Sequence, residues 1–111
     1  MANLLSYLKA QTQDMVSLLQ KLVEMESPTS EKEAVDALGS FLRERLVELG
    51  AQVEVVEQAE RGNHLLARWE GEGRQVLILC HMDTVWPIGT LKLRPFRRDG
   101  GIARGPGIFD M

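Results

Sequence analysis

The hydrophobic period changes once along this 111-residue chain, and that change constrains the fold more than any other feature. Over residues 4–25 the apolar side chains recur at steps of three and four, which is the spacing of an amphipathic helix. Ser27-Pro28 ends this pattern, because a residue before proline is driven out of the helical region. A second helical pattern then runs to Gly50, with Ser30 and Glu33 spaced as a capping box. We therefore predict two N-terminal helices.

After Gly50 the apolar pattern has a period of two, which indicates strands. The alternation covers residues 53–55 and 65–69, and the polar residues 60–63 separate them as a turn. Residues 76–80 are continuously apolar, which is typical of a central strand covered on both faces in sheets with parallel character. A short hairpin is predicted at Asp99-Gly100-Gly101. The predicted fold is α/β, with two N-terminal helices packed on a partial mixed sheet.

The composition is that of an ordinary globular protein. The hydrophobic content is 44% and the formal net charge is -3, so we expect neither a nucleic acid nor an anionic membrane as partner. Met1-Ala2-Asn3 includes no cationic leader ahead of the first apolar stretch, and we therefore expect no signal peptide. Cys80 is the single cysteine, which is compatible with a reducing compartment. These features predict a cytoplasmic location.

The residues just after the apolar run carry the clearest chemical signal. His81 and Asp83 follow the predicted central strand, and ligands in such sheets bind beyond the carboxyl ends of strands. Residues two apart on an extended chain point to the same side, so the imidazole and the carboxylate are expected to share a face. His81 would then bind a metal through one ring nitrogen, while Asp83 accepts a hydrogen bond from the other. The alternative is a structural histidine followed by an aspartate that begins a turn.

Asp110 is a second acidic candidate, and it follows two closely spaced glycines. Gly105-Pro106-Gly107 precedes it, and small residues let the backbone bring a carboxylate close to a metal and its other ligands. As an alternative, Asp110 would cap a helix that follows it. A dinucleotide-binding loop is excluded, because Asp110 occupies the position of the third glycine and no strong strand precedes the motif.

Other polar residues are explained more simply by structure. Cys80 is adjacent to His81, but neighbouring residues of a strand face opposite ways, so we expect a small buried residue rather than a nucleophile. His64 is predicted to begin a strand in a structural role. A basic stretch around residues 92–104 would attract an acidic substrate or simply form a solvated loop, and the loop is the commoner meaning. Trp86 would either shape the mouth of a site or pack.

Two motifs, taken together, resemble the M20 family of metallopeptidases. They are His81-Met82-Asp83-Thr84-Val85 and Gly105-Pro106-Gly107-Ile108-Phe109-Asp110-Met111. Ser27-Pro28-Thr29-Ser30 and the helix end at Leu49-Gly50 are also similar to the N-terminal region of that family, and residues 85–90 are most similar to its glutamate carboxypeptidase branch. The resemblance implies that residues 1–111 are the N-terminal part of a zinc exopeptidase catalytic domain.

The resemblance implies a role for each candidate residue. His81 would bind one zinc ion, Asp83 would be the catalytic carboxylate that orients it, and Asp110 would bridge two zinc ions. The implied reaction is hydrolysis of a peptide or amide bond beside a carboxylate-bearing residue, in a small peptide or N-acyl amino acid, by a zinc-activated water. In the family a glutamate base and further ligands lie downstream. The hypothesis is that these 111 residues alone bind zinc weakly and hydrolyse nothing.

A function of a different class is also compatible with the sequence. The chain would then be a non-catalytic α/β binding or assembly module that uses its helices or a sheet edge as an interface. Uncovered apolar surface and an unpaired sheet edge both favour association between chains. We therefore predict self-association or marginal stability in solution.

Overall fold

A computed structural model describes residues 3–110 of the protein, and these residues form helices and small antiparallel sheets. The helices are α1 (Leu4–Ala10), α2 (Thr12–Glu24), α3 (Lys32–Glu48) and α4 (Thr90–Leu93). The strands are β1 (Gln52–Val56), β2 (His64–Arg68), β3 (Arg97–Asp99) and β4 (Ile102–Arg104). The predicted α/β class is confirmed. Met1, Ala2 and Met111 lie outside the described residues. Met1 and Ala2 begin the segment in which no signal peptide is expected, and Met111 is the last residue of the second motif.

The first predicted helix is in fact two helices. Gln11 separates α1 from α2, and its φ of -89° and ψ of 0° depart from helical values. The apolar spacing is interrupted between Leu8 and Met15, so no continuous buried stripe holds a single helix together there. α1 buries none of its residues, whereas α2 buries Val23. Among residues 3–110, each helix is too short or too polar to cross a membrane.

The capping box predicted for the next helix is wrong. α3 has Glu31 at its N-cap, and no side chain caps it by a hydrogen bond. A capping box places its acidic residue three positions after the N-cap. Because α3 begins one residue later than predicted, Ser30 lies outside the cap and Glu33 is only two positions after it. The helix does end as predicted, with Gly50 at a φ of +86°.

α3 supplies two of the four buried apolar side chains of the described residues, Val35 and Leu38, and packs on the β1–β2 hairpin. The buried apolar side chains of the described residues are Val23, Val35, Leu38 and Ala51. Gly62, in the turn of the hairpin, lies so close to Val35 that any side chain at position 62 would overlap it. Gly39 of α3 is buried, and a Cβ added at position 39 would lie 3.6 Å from Cε of Met82, which is an ordinary van der Waals distance.

Both predicted hairpins are present. β1 and β2 pair antiparallel from Gln52 opposite Arg68 to Val56 opposite His64. β3 and β4 pair antiparallel around the predicted turn at residues 99–101. Both sheets are two-stranded and antiparallel, and the parallel pairing seen in residues 3–110 is an isolated bridge between Pro28 and Thr84.

The central strand predicted at residues 76–80 is wrong. This segment joins neither sheet, and the four apolar side chains at residues 76–79 are 75% to 86% exposed. Cys80 is exposed as well, so its predicted burial is also wrong. A continuous apolar run is buried only where other elements cover both of its faces. Here α3 and the β1–β2 hairpin pack on each other and leave this run uncovered.

Candidate functional site

The candidate site is built on two chain segments that run side by side, residues 27–29 and 82–84, which we call the clamp. The backbone N–H of Thr84 donates to the carbonyl of Ser27 at 2.8 Å, and that of Thr29 donates to the carbonyl of Thr84 at 2.9 Å. The Ser27 hydroxyl donates to the carbonyl of Met82 at 2.8 Å. Pro28 makes this pairing available, because it ends the preceding helical pattern and leaves its neighbours' backbone groups free to bond elsewhere.

His81 lies at the end of the clamp, and each of its ring nitrogens faces an acceptor. Nδ1 is 3.0 Å from the carbonyl oxygen of Asp83 and 3.3 Å from its Oδ1. Nε2 is 2.9 Å from Oδ1 of Asp110. The hydrogen bond with Asp110, followed by that with the Asp83 carbonyl, raises the pKa of His81. The direction follows because only the doubly protonated ring donates from both nitrogens.

Asp83 is held at both of its carboxylate oxygens. Thr29 Oγ1 donates to Oδ2 at 2.7 Å, while Oδ1 faces His81 Nδ1. The hydrogen bond from Thr29 lowers the pKa of Asp83, because it favours the charged carboxylate. Sequence reasoning singled out Asp83 but missed Thr29. The available signal was a hydroxyl residue directly after the proline of the Ser27-Pro28-Thr29-Ser30 motif.

The glycines before Asp110 let its loop lie against the clamp and α2. A Cβ on Gly105 would be 2.8 Å from Cγ1 of Val23, and a Cβ on Gly107 would be 2.6 Å from Cγ2 of Thr84. Gly107 also has a φ of +75°, which residues with a side chain rarely adopt. The close approach at Thr84 therefore needs glycine, and it brings Asp110 within hydrogen-bond distance of His81.

An open cavity of about 390 Å³ lies beside these residues. Thr29, His81, Asp83 and Asp110 line it, and Trp86 contributes an aromatic wall. The guanidinium carbon of Arg94, from the basic stretch, is 5.1 Å from the centre of the Trp86 ring, which is a cation–π distance. Trp86 therefore both lines the cavity and packs against Arg94. His64 and Cys80 do not line the cavity.

The donor atoms fit part of a zinc site. His81 Nε2 and Asp110 Oδ1 are 2.9 Å apart, and two ligand atoms on a tetrahedral zinc are separated by about 3.3 Å, so a small shift would let both bind one ion. The second ring nitrogen faces Asp83, as a metal-ligating histidine usually faces a carboxylate or carbonyl. Asp83 and Asp110 lie at opposite ring nitrogens and do not converge on one point. Accordingly, residues 3–110 contain no group of three potential metal ligands.

The sequence is similar to that of a known carboxypeptidase. No family model matches it, but over 98 residues it is 38% identical to carboxypeptidase G2 of Pseudomonas sp. (strain RS-16). This chain is related to carboxypeptidase G2. The match covers 86% of the chain, which spans 24% of the length of that relative. A match of this extent includes the clamp and His81, whichever end of the chain it omits.

Proposed function

We propose that this chain is the N-terminal part of an M20-family catalytic domain. The complete enzyme would be a metal-dependent hydrolase of the glutamate carboxypeptidase type, which cleaves a peptide or amide bond beside a carboxylate-bearing residue. The observation that carries the proposal is His81, set between Asp83 and Asp110 on the wall of a cavity. The relationship to carboxypeptidase G2 supports the same class of reaction.

Each candidate residue has a distinct task in this proposal. His81 Nε2 and the Asp110 carboxylate would hold zinc, and Asp110 would be shared by two ions, because its negative charge would offset their mutual repulsion. Asp83 accepts the Nδ1–H hydrogen bond and so leaves Nε2 free to coordinate. When bound, two zinc ions supply an activated water and polarise the carbonyl of the scissile amide. A catalytic zinc takes three protein ligands. Residues other than His81 and Asp110 must therefore complete the coordination of each ion.

The cavity accords with a small substrate. Its volume of about 390 Å³ lies within the range of small-molecule sites, which is about 300 to 1,000 Å³. The polar edge at His81 and Asp110 would face the scissile bond, while Trp86 offers a flat apolar surface to the rest of the molecule. A small peptide or an N-acyl amino acid has this combination of a polar amide and an apolar or carboxylate-bearing side chain.

Hydrolysis by the protein expressed from its complete coding sequence tests this proposal. With zinc supplied, we expect cleavage of peptides that end in glutamate, or of N-acyl amino acids. His81→Ala and Asp110→Ala should each lower kcat/KM by at least about a thousandfold, because a lost metal ligand removes the activated water. His64→Ala is the matched control, since His64 lies in β2 and does not line the cavity. No cleavage of either substrate class, or an unchanged rate in His81→Ala, would overturn the proposal.

A second candidate function is a non-catalytic assembly module. The uncovered apolar residues 76–79 favour it, because contiguous exposed apolar surface commonly marks an interface. The expected partner is a second copy of the chain. Stable self-association without hydrolysis of any amide substrate would support this function over the enzyme. The cytoplasmic location predicted from the sequence applies equally to both candidates.

A further inference from the structure

The Thr29 hydroxyl has one proton and two acceptors within reach. Its Oγ1 is 2.7 Å from Asp83 Oδ2 and 3.1 Å from the carbonyl oxygen of Thr84. The Thr84 carbonyl already accepts the backbone N–H of Thr29 at 2.9 Å. A hydrogen bond to an ionised carboxylate is shorter and stronger than one to a neutral carbonyl. The hydroxyl proton therefore belongs to Asp83.

The clamp fixes the backbone on both sides of Asp83. The preceding residue, Met82, accepts the Ser27 hydroxyl through its carbonyl, and the following residue, Thr84, is bonded through both its N–H and its carbonyl. Ser27 is 1% exposed and Thr84 9% exposed, so water does not compete easily for these bonds. The remaining freedom of Asp83 is rotation of its side chain, which is 33% exposed.

We propose that Thr29 is a positioning residue of the metal site. By holding Oδ2, the Thr29 hydroxyl stops the carboxylate of Asp83 from rotating toward solvent and keeps Oδ1 at 3.3 Å from Nδ1 of His81, beside the Asp83 carbonyl oxygen that lies 3.0 Å from the same nitrogen. Thr29 thus acts on a metal ligand through Asp83, without coordinating the metal itself. The inference rests on the proposed function, because it requires His81 to bind a metal. Loss of an outer partner of a metal ligand typically lowers metal affinity ten- to a hundredfold.

The test compares three variants of the protein expressed from its complete coding sequence. Thr29→Val keeps the branched shape and removes the hydroxyl, Thr29→Ser keeps the hydroxyl, and Thr12→Val makes the same chemical change at an exposed position of α2. The readouts are the affinity for Zn²⁺, by competition with a chelator, and the visible absorption spectrum of bound Co²⁺. The thermal midpoint of the metal-free protein is measured alongside them.

We expect Thr29→Val to lower Zn²⁺ affinity about tenfold and to change the Co²⁺ spectrum. Thr29→Ser should restore both to within about threefold, and Thr12→Val should leave both unchanged, because neither change removes the hydroxyl that holds Asp83. A structural role alone would lower the thermal midpoint without a selective effect on the bound metal. If Thr29→Val bound Zn²⁺ as tightly as the wild type, or if Thr29→Ser weakened Zn²⁺ binding as much as Thr29→Val, this inference would be overturned and the proposed function would stand. Absence of metal binding by the wild-type protein would overturn the proposed function together with it.

Discussion

Two neighbouring segments of this chain, residues 76–80 and residues 82–84, have different environments. The first is apolar, yet its residues 76–79 are 75% to 86% exposed and join no sheet of the described chain. The second is largely polar, yet it ends at Thr84, which is 9% exposed and bonded on both sides. The comparison shows that hydrophobicity alone does not anchor a segment. Backbone and hydroxyl bonds from residues 27–29 do so here.

The difference has a physical reason. Burial of apolar surface contributes about 25 cal/mol per Å², but only over area that another element covers. Residues 76–79 have no such cover in residues 3–110 and gain little. A hydrogen bond contributes only about 0.5 to 1.5 kcal/mol, but one adjacent segment is enough to form several. The clamp therefore orders residues 82–84 with few contacts.

The largest expected effect is self-association through the exposed residues 76–79. If these residues caused no self-association, their exposure would have no consequence and the contrast with residues 82–84 would lose its meaning. The 111-residue chain should self-associate at micromolar concentration, because residues 76–79 present contiguous exposed apolar surface and join neither sheet of the described residues. Ile78→Lys should restore the monomer, as measured by sedimentation velocity. Glu54→Lys, on the exposed face of β1, is the control for added charge. A monodisperse wild-type monomer would contradict the prediction.

The next effect concerns the loop that lies on the clamp. Gly107→Ala should destabilise the protein by about 2 to 4 kcal/mol, because it combines a left-handed backbone with overlap against Thr84. Gly73→Ala is the matched control. Gly73 has a φ of +96° with open space around it, so its substitution should cost only about 1 to 2 kcal/mol of backbone strain. Urea unfolding measures both. Equal losses in the two variants would show that contact with Thr84 contributes nothing.

The smallest expected effect concerns Glu26, whose carboxylate anchors residues 89–91 outside the clamp. The Glu26 carboxylate accepts backbone N–H bonds from Gly89 at 2.9 Å and from Leu91 at 2.9 Å. These bonds, with that from Gly89 first, lower the pKa of Glu26 from its ordinary value of 4.5, and partial burial opposes them. Because the folded-state pKa is lowered, the stabilisation is present above about pH 4.5 and is lost as the pH falls through the folded-state pKa.

Glu26→Gln isolates this contribution from the other carboxylates. The urea midpoint of the wild-type protein should exceed that of the variant at about pH 6, and the gap should narrow as the pH falls below 4.5 and Glu26 becomes protonated. The comparison between the two proteins cancels the titration of groups they share. A gap that is constant across this pH range would show that the Glu26 charge does not anchor residues 89–91.

Much of the local structure was predictable from the sequence. The alternation in residues 53–69 and the glycines at residues 100–101 identified both hairpins, because strand period and turn chemistry act over a few residues. Gly50 identified the end of α3 for the same reason. The break at Gln11 was missed, because its cause is the absence of a buried stripe rather than a helix-breaking residue. The exposure of residues 76–80 was missed, because burial depends on what covers a segment.

The sequence by itself determined the α/β class, the two hairpins and the identity of His81, Asp83 and Asp110 as the candidate site residues. Only the tertiary structure decided how these residues meet. The contact between Thr29 and Asp83 joins residues 54 positions apart, and that between His81 and Asp110 joins residues 29 apart. Local patterns select helices, strands and turns, whereas such distant contacts depend on how the segments pack, here through the clamp and the close approach of Gly107 to Thr84.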